Sequence, residues 1–387
     1  MRISASRSRQ LRALQGLCRV RVSIARVAPS VIKVGLLRDA RFRDHETAPQ
    51  HPERAQRLAA IETLLDDAGL SRRLVPVVAE EAPEEALRRV HAPALLELLA
   101  RAEEAAQSQP VALDADTVVS AASLRATRLA SGGVLRAARL VARGDVEAAF
   151  CLPRPPGHHA TRDQAMGFCL TNHVAVAAAD LLATGTVDRV AVVDFDVHHG
   201  NGTQEIFWDE PRLLYISLHQ YPHYPGTGGL EETGGATASR TTLNLPLPAG
   251  CGDQTYLRCF DEIVLPALRR FQPSMFLISA GFDAHWRDPL AAQNLSGDGY
   301  RAIAQRLAYV AAELHAGQVY VLEGGYDLEA IAWAARHCID VLLGNAPVDD
   351  PVGPAPEQLH LREPNVGPLL ERARLIHKLG QLKEARG

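Results

Sequence analysis

The sequence predicts an α/β protein of the doubly wound type, with a mostly parallel central sheet flanked by helices. Three observations predict it. Apolar runs of four to eight residues recur without polar alternation, as in parallel strands covered on both faces. Segments of helical periodicity separate most of them, and alternation of the two argues for βαβ units. Each run also ends in a cluster of polar residues, and open α/β sheets bind ligands outside the carboxyl ends of their strands.

Taken in order, VIKVGLL (31–37) reads as the first strand. Residues 52–70, 84–106 and 117–143 are rich in Ala, Leu, Glu and Arg at helical spacing. The apolar runs AAFCL (148–152), VAVVDF (190–195), LLYISL (213–218), MFLISA (275–280) and VYVLE (319–323) follow. Helical stretches are expected at 173–183, 255–271, 299–316 and 328–343. The 219–254 stretch is rich in Gly and Pro and lacks helical period; a loop that long in a compact domain is usually functional. A Pro-rich segment and a last helix (368–384) close the chain. The expected organisation is a basic N-terminal extension (1–30), one catalytic domain (31–345) and a C-terminal appendage (346–387).

Composition narrows the function classes. The chain has 387 residues, 47% hydrophobic and 22% charged, so it is neither disordered nor fibrous. It holds no apolar run of about 18 residues, so no membrane span is expected. The net charge of −4 is uneven: residues 1–38 carry nine Lys/Arg and no Asp/Glu, leaving 32 basic against 45 acidic residues beyond them. So acidic a body argues against direct nucleic-acid binding, which needs a cationic footprint. The Arg-rich, Ser-containing, acid-free start has the composition of a mitochondrial transit peptide, and equally of a disordered basic arm. The six cysteines are scattered without a CxxC pair and read as reduced thiols, so a cytoplasmic location is expected, or a mitochondrial one if the start is a transit peptide.

The chemistry lies where the strands end. AAFCL leads to a Pro-Pro-Gly turn and His158-His159; VAVVDF leads through Asp194 and Asp196 to His198 and Asn201; MFLISA ends near Asp283; VYVLE ends in Gly324-Gly325-Tyr326. In an extended segment residues 194, 196 and 198 share one side. With Asp283 they offer carboxylate and imidazole donors suited to a divalent ion with an open position, and Fe²⁺ or Co²⁺ would accept the same set as Zn²⁺. A neutral imidazole of the 158–159 pair beside such an ion is a natural general base, with Asp194 and Asn201 able to orient the rings. A phenol at Tyr326 could donate to a developing oxyanion. Taken singly, any one of these Asp residues would more readily be a helix cap or a solvated loop carboxylate.

Together these residues make the chain resemble the histone deacetylase superfamily, which includes acetylpolyamine amidohydrolases and bacterial deacetylase-like amidohydrolases. The motifs are His51-Pro-Glu-Arg54, RPPGHHA (154–160), GFC (167–169), VVDFDVHHGNGTQ (192–204), SLHQ (217–220), YPGTG (224–228), NLPLPAG (244–250), GFDAH…DPL (281–290) and EGGYDL (323–328), in order over about 31–345. The resemblance implies an arginase/deacetylase-type three-layer α/β/α fold and one catalytic Zn²⁺ held by Asp196, His198 and Asp283. It implies His159 as the main general acid/base, with Asn201 orienting it, and Asp194 orienting His158. Asn201 stands where class I enzymes have Asp, which points to the class II branch. Tyr326 would polarise the acyl carbonyl, Phe168 and Tyr224 would line an acyl-lysine tunnel, and the Gly167 carbonyl would accept from the substrate amide. An inner K⁺ site would involve Asp194, Asp196, His198, Ser217 and Leu218. Asp116 lies roughly where some members carry a rim carboxylate. One departure is the loop GGATASRTT (234–242), which lacks the family's alternating glycines.

The implied reaction is hydrolysis of an N-acyl amine. Family members that favour acetylated polyamines carry a Glu at the pocket mouth; here that place holds Leu290, so acyl-lysine or another small acylated amine is the expected substrate. Two rivals belong to other classes. A binuclear ureohydrolase would need more Asp/His ligands than the strand ends supply. A non-catalytic binding protein on the same scaffold would typically have lost a ligand or the Tyr. A homo-oligomer is left open.

Overall fold

In the computed structural model, residues 32–356 and 363–380 are described. The expected N-terminal extension and Cys18 lie outside them, as do residues 381–384 of the last expected helix, which within the described residues runs Gly367–His377 and is capped by Lys378. The strands are β1 (Val34–Leu37), β2 (Val75–Val77), β3 (Val111–Ala112), β4 (Val118–Val119), β5 (Ala148–Cys151), β6 (Val190–Asp194), β7 (Leu213–Gln220), β8 (Thr242–Leu247), β9 (Met275–Ala280) and β10 (Gly317–Leu322). Eight form one sheet in the order β2-β1-β5-β10-β9-β6-β7-β8, with every neighbouring pair parallel. β3 and β4 form a separate antiparallel ladder.

The inner strands are apolar on both faces because helices cover both; every residue of β5, β6 and β9 is buried. The helix Ser123–Ala142 packs on β1, β5 and β10 and against the helix His173–Ala183. In a second set, Leu328–Leu342 packs between Gln56–Asp67 and Gly297–Leu314. The result is a three-layer α/β/α arrangement. Among the described residues no helix is long and apolar enough to cross a membrane.

Four expectations are corrected. The 117–143 helix begins only at Ser123, and the first residues of that range include strand β4. The 84–106 helix is two, Glu84–Arg88 and Pro93–Ala105, because Pro93 takes the first turn of the second, where a missing N–H costs nothing. The 255–271 helix carries a π-turn at Phe260–Val264 just before Pro266. The 219–254 loop contains β8, whose Pro246 made it look irregular. Proline is tolerated there because β8 is an edge strand; β2, with Pro76, is the other edge.

The order of the sheet positions the site. β5, β10, β9, β6 and β7 are consecutive neighbours, so the polar residues that follow their carboxyl ends meet along one edge.

Candidate active site

Asp196, His198 and Asp283 are buried, and one candidate donor atom from each lies within 4.8 Å of the others. His198 Nδ1 stands 3.1 Å from Asp196 Oδ1 and 3.1 Å from Asp283 Oδ2. Backbone N–H groups hold the carboxylates: His198 N donates to Asp196 Oδ1, Gly324 N to Asp196 Oδ2 and Val197 N to Asp283 Oδ1. A Cβ at Gly281 would collide with the Asp196 carboxylate, and one at Gly324 with that of Asp283, so both turns must be glycine for the donors to converge. Burial, then repulsion from Asp196, pushes the Asp283 carboxyl above its ordinary range. Two crowded carboxylates and an imidazole form an oxygen-rich pocket that fits a divalent cation.

Beside them lies the histidine pair, with ring centroids 4.0 Å apart. His158 Nδ1 donates to Asp194 Oδ2 at 3.1 Å, and Tyr215 Oη donates to the same oxygen at 3.3 Å. His159 Nδ1 donates to Asn201 Oδ1 at 2.8 Å, which leaves Nε2 with the lone pair. The two environments diverge electrically. Burial works against charge on His158, but Asp196 and Asp194 outweigh it and carry the pKa up to about 10. Burial, then the positive charge of His158 and of His198, holds His159 well below its ordinary value. A cation bound at His198 would act on His159 in the same sense.

Tyr326 faces this group from the β10 side. Its backbone N–H donates to Asp288 Oδ2 at 2.6 Å, and the Arg57 guanidinium lies 4.9 Å from its ring centroid. Burial pushes the phenol well above its ordinary pKa, so it stays a donor. A cavity of about 240 Å³ opens over these residues, with Phe168, Tyr224, Leu290 and Asp116 on its wall. Phe168 has a left-handed backbone (φ 67°), a strain on the order of 1 kcal/mol for a residue with a Cβ. Thr117 Oγ1 holds its N–H, and His51 packs edge-on to its ring at 4.7 Å. The Gly167 carbonyl, also at this wall, accepts from Cys169 Sγ at 3.3 Å.

A model of the histone deacetylase domain matches residues 51–342. The chain belongs to the histone deacetylase family. A histone deacetylase-like amidohydrolase of Pseudomonas aeruginosa is 38% identical over 322 residues, 82% of this chain and 83% of that protein. A probable deacetylase of Archaeoglobus fulgidus is 39% identical over 298 residues, 76% of this chain and 82% of that protein. The crystal structure of the HDA15 HD domain superposes with a TM-score of 0.78 at 36% identity, covering 89% of this chain and 95% of that one. Plant relatives run longer: the match covers 56% of Arabidopsis thaliana histone deacetylase 15.

Within this deacetylase-family site, Asp194, Asn201, Ser217 and Leu218 stand behind the cavity rather than on its wall. Ser217 lies opposite Asp194 in the β6–β7 register, and its hydroxyl pairs with His219 Nδ1. Asp116 presents a partly buried carboxyl at the wall, while its backbone carbonyl accepts from His51 Nε2. The structure adds residues that sequence reasoning missed. His223 lines the cavity, 5.0 Å from the His198 ring, and its Nε2 donates to the Leu290 carbonyl at 2.9 Å. Asp288 receives the N–H groups of both Leu290 and Tyr326. Each lies inside a quoted motif or next to one, and the signal available was that proximity; the hydrogen bonds that give them work span distant segments.

Proposed function

We propose that this chain is a zinc-dependent deacetylase that hydrolyses the amide of N-acetyl-lysine or a similar acylated amine. The observation that carries this reading is one cavity lined by His159, the Tyr326 phenol and His198, with His198 grouped with the buried Asp196 and Asp283 as a donor set and His159 held below its ordinary pKa. Zn²⁺ held by the three donors would supply Lewis acidity toward the acyl carbonyl and acidify water; Fe²⁺ or Co²⁺ fits the same donors. The resemblance adds K⁺ as a structural ion near Asp194 and Ser217.

The chain's own groups supply the rest. Asn201 fixes the His159 tautomer, so Nε2 takes the proton of the attacking water and later returns it to the leaving amine; such transfer is worth roughly 10²–10⁴-fold. His158, whose charged form Asp196 and Asp194 favour, disfavours protonation of the adjacent His159 and would add positive potential where the oxyanion develops. Tyr326 donates to that oxyanion, worth about 10²–10³-fold. Phe168 and Tyr224 flank the aliphatic arm of the substrate, and the Gly167 carbonyl accepts from its amide. The neutral Leu290 at the mouth offers a polyamine no charge reward.

The test is kcat/KM of the Zn²⁺-loaded protein on an acetyl-lysine peptide and on N-acetylated polyamines. Preference for the peptide is expected. Preference for polyamines would mean that another carboxylate, such as Asp116, reads the distal cation. Metal binding without turnover on either would favour a binding protein on a deacetylase scaffold. Two metals per chain would point to a ureohydrolase.

A further inference from the structure

The β5–β10 ladder ends at the Cys151–Val321 pair, short of every reactive residue. Beyond it, the turn carrying His158-His159 and the turn carrying Tyr326 have no strand pairing to hold their spacing. Glu323 bridges them. It is fully buried, and its Oε2 accepts two successive backbone N–H groups, Gly157 at 2.7 Å and His158 at 3.1 Å. Its backbone N–H donates to the Ala280 carbonyl at 3.1 Å, at the end of β9. Its own carbonyl accepts from Arg57, which also binds the Gly325 carbonyl at 2.6 Å and lies over the Tyr326 ring. One side chain thus ties the histidine turn to the tyrosine turn, with the end of β9 tied to the same residue.

Stability alone is a poor account of this carboxyl. Its second oxygen, Oε1, is buried without a protein partner, and burial pushes its pKa up to about 7. Burying a polar group with an unmet atom costs free energy.

We propose that Glu323 is a positioning residue that sets the spacing between the His158-His159 pair and the Tyr326 phenol. The kinetic consequence rests on the hydrolytic reading above; the placement itself does not. A misplacement near 1 Å can cost about 10²-fold in rate.

The experiment compares wild type, Glu323→Ala and Glu323→Gln in the full zinc-loaded chain. It measures kcat and KM on an acetyl-lysine peptide, metal content, thermal melting and the NMR signals of the His158 and His159 Nδ1–H protons. In Glu323→Ala, kcat is expected to fall at least about tenfold with KM and metal content little changed. The two imidazole N–H signals should shift or broaden. Glu323→Gln keeps an oxygen for both backbone N–H groups and should restore most of kcat and both signals. A folded Glu323→Ala with wild-type kcat and unmoved signals would overturn the proposal. If Glu323→Ala does not fold, Glu323→Gln decides: signals and kcat near wild type support positioning, while a folded variant with collapsed kcat shows that charge, not placement, is what the site needs. If wild type turns over no acyl amine, the hydrolytic reading fails, and the imidazole signals still decide the role of Glu323.

Discussion

The floor of the cavity is His158, His159, His198 and Tyr326, backed by the buried Asp194, Asp196 and Asp283, each with at least one carboxylate oxygen met by a backbone N–H. At its mouth, Tyr224 is 36% exposed and Phe168, Leu290 and Asp116 are partly buried. Floor side chains are fixed by strand ends and glycine turns. Those at the mouth hang from loops, held by loop hydrogen bonds such as His223 to the Leu290 carbonyl. Under the proposed function, the floor would carry chemistry that any acyl amide meets, and the mouth would choose among substrates. Damage to the floor should therefore lower turnover for every substrate, whereas changes at the mouth should alter ratios.

The largest effect is expected from Asp283→Ala. It removes one of three donors and leaves His198 Nδ1 and Asp196 facing an empty corner. Elemental analysis should find the bound metal lost and turnover at background. Full metal occupancy would remove Asp283 from the donor set and break the account of the floor. Tyr326→Phe comes next. The ring's packing against Phe168 and Arg57 survives, so metal should stay while kcat falls by about 10²–10³-fold on peptide and polyamine alike. Near-wild-type turnover would exclude the phenol as oxyanion donor.

A subtler test compares the two histidines within the floor. His158 faces a carboxylate and is carried up to about 10; His159 faces an amide and is held well below its ordinary value. A general base must be neutral, so the acid limb of kcat/KM is expected below pH 6.5, the ordinary histidine value. Asn201→Asp would place a carboxylate on His159 Nδ1 and favour the protonated ring. The acid limb should move to higher pH, lowering kcat/KM at mildly acidic pH. A limb that stays put would mean that His159 is not the group being titrated.

How much of this was legible in the sequence follows from the same division. The floor lies on buried strands whose apolar runs are conspicuous: MFLISA is β9 residue for residue, and VAVVDF exceeds β6 by one. The polar residues after those runs are adjacent in sequence, so Asp194, Asp196 and His198 could be grouped without a structure. Edge strands were harder, because Pro76 and Pro246 break the pattern where a missing N–H is harmless. His223, Asp288 and Glu323 were hardest. Their partners are 67, 38 and 166 residues away, and nothing local distinguishes them from other loop polar residues.

The mouth gives the smallest and most selective prediction. Both backbone groups of Leu290 are engaged, the N–H by Asp288 and the carbonyl by His223, so the side chain can be replaced without releasing the loop. Leu290→Glu would set a partly exposed carboxylate where the distal nitrogen of a polyamine would pass. An exposed ion pair is worth up to about 1 kcal/mol, or roughly fivefold. The ratio of kcat/KM for N-acetylated polyamine over acetyl-lysine peptide should rise by about that factor and shrink again in high salt, because the pair is solvent-exposed. If the ratio does not move, Leu290 is not the gate and Asp116 becomes the carboxylate to replace. If kcat falls equally for both substrates, the line between floor and mouth is drawn in the wrong place, because a side chain that hangs from a loop would then be holding the reacting groups.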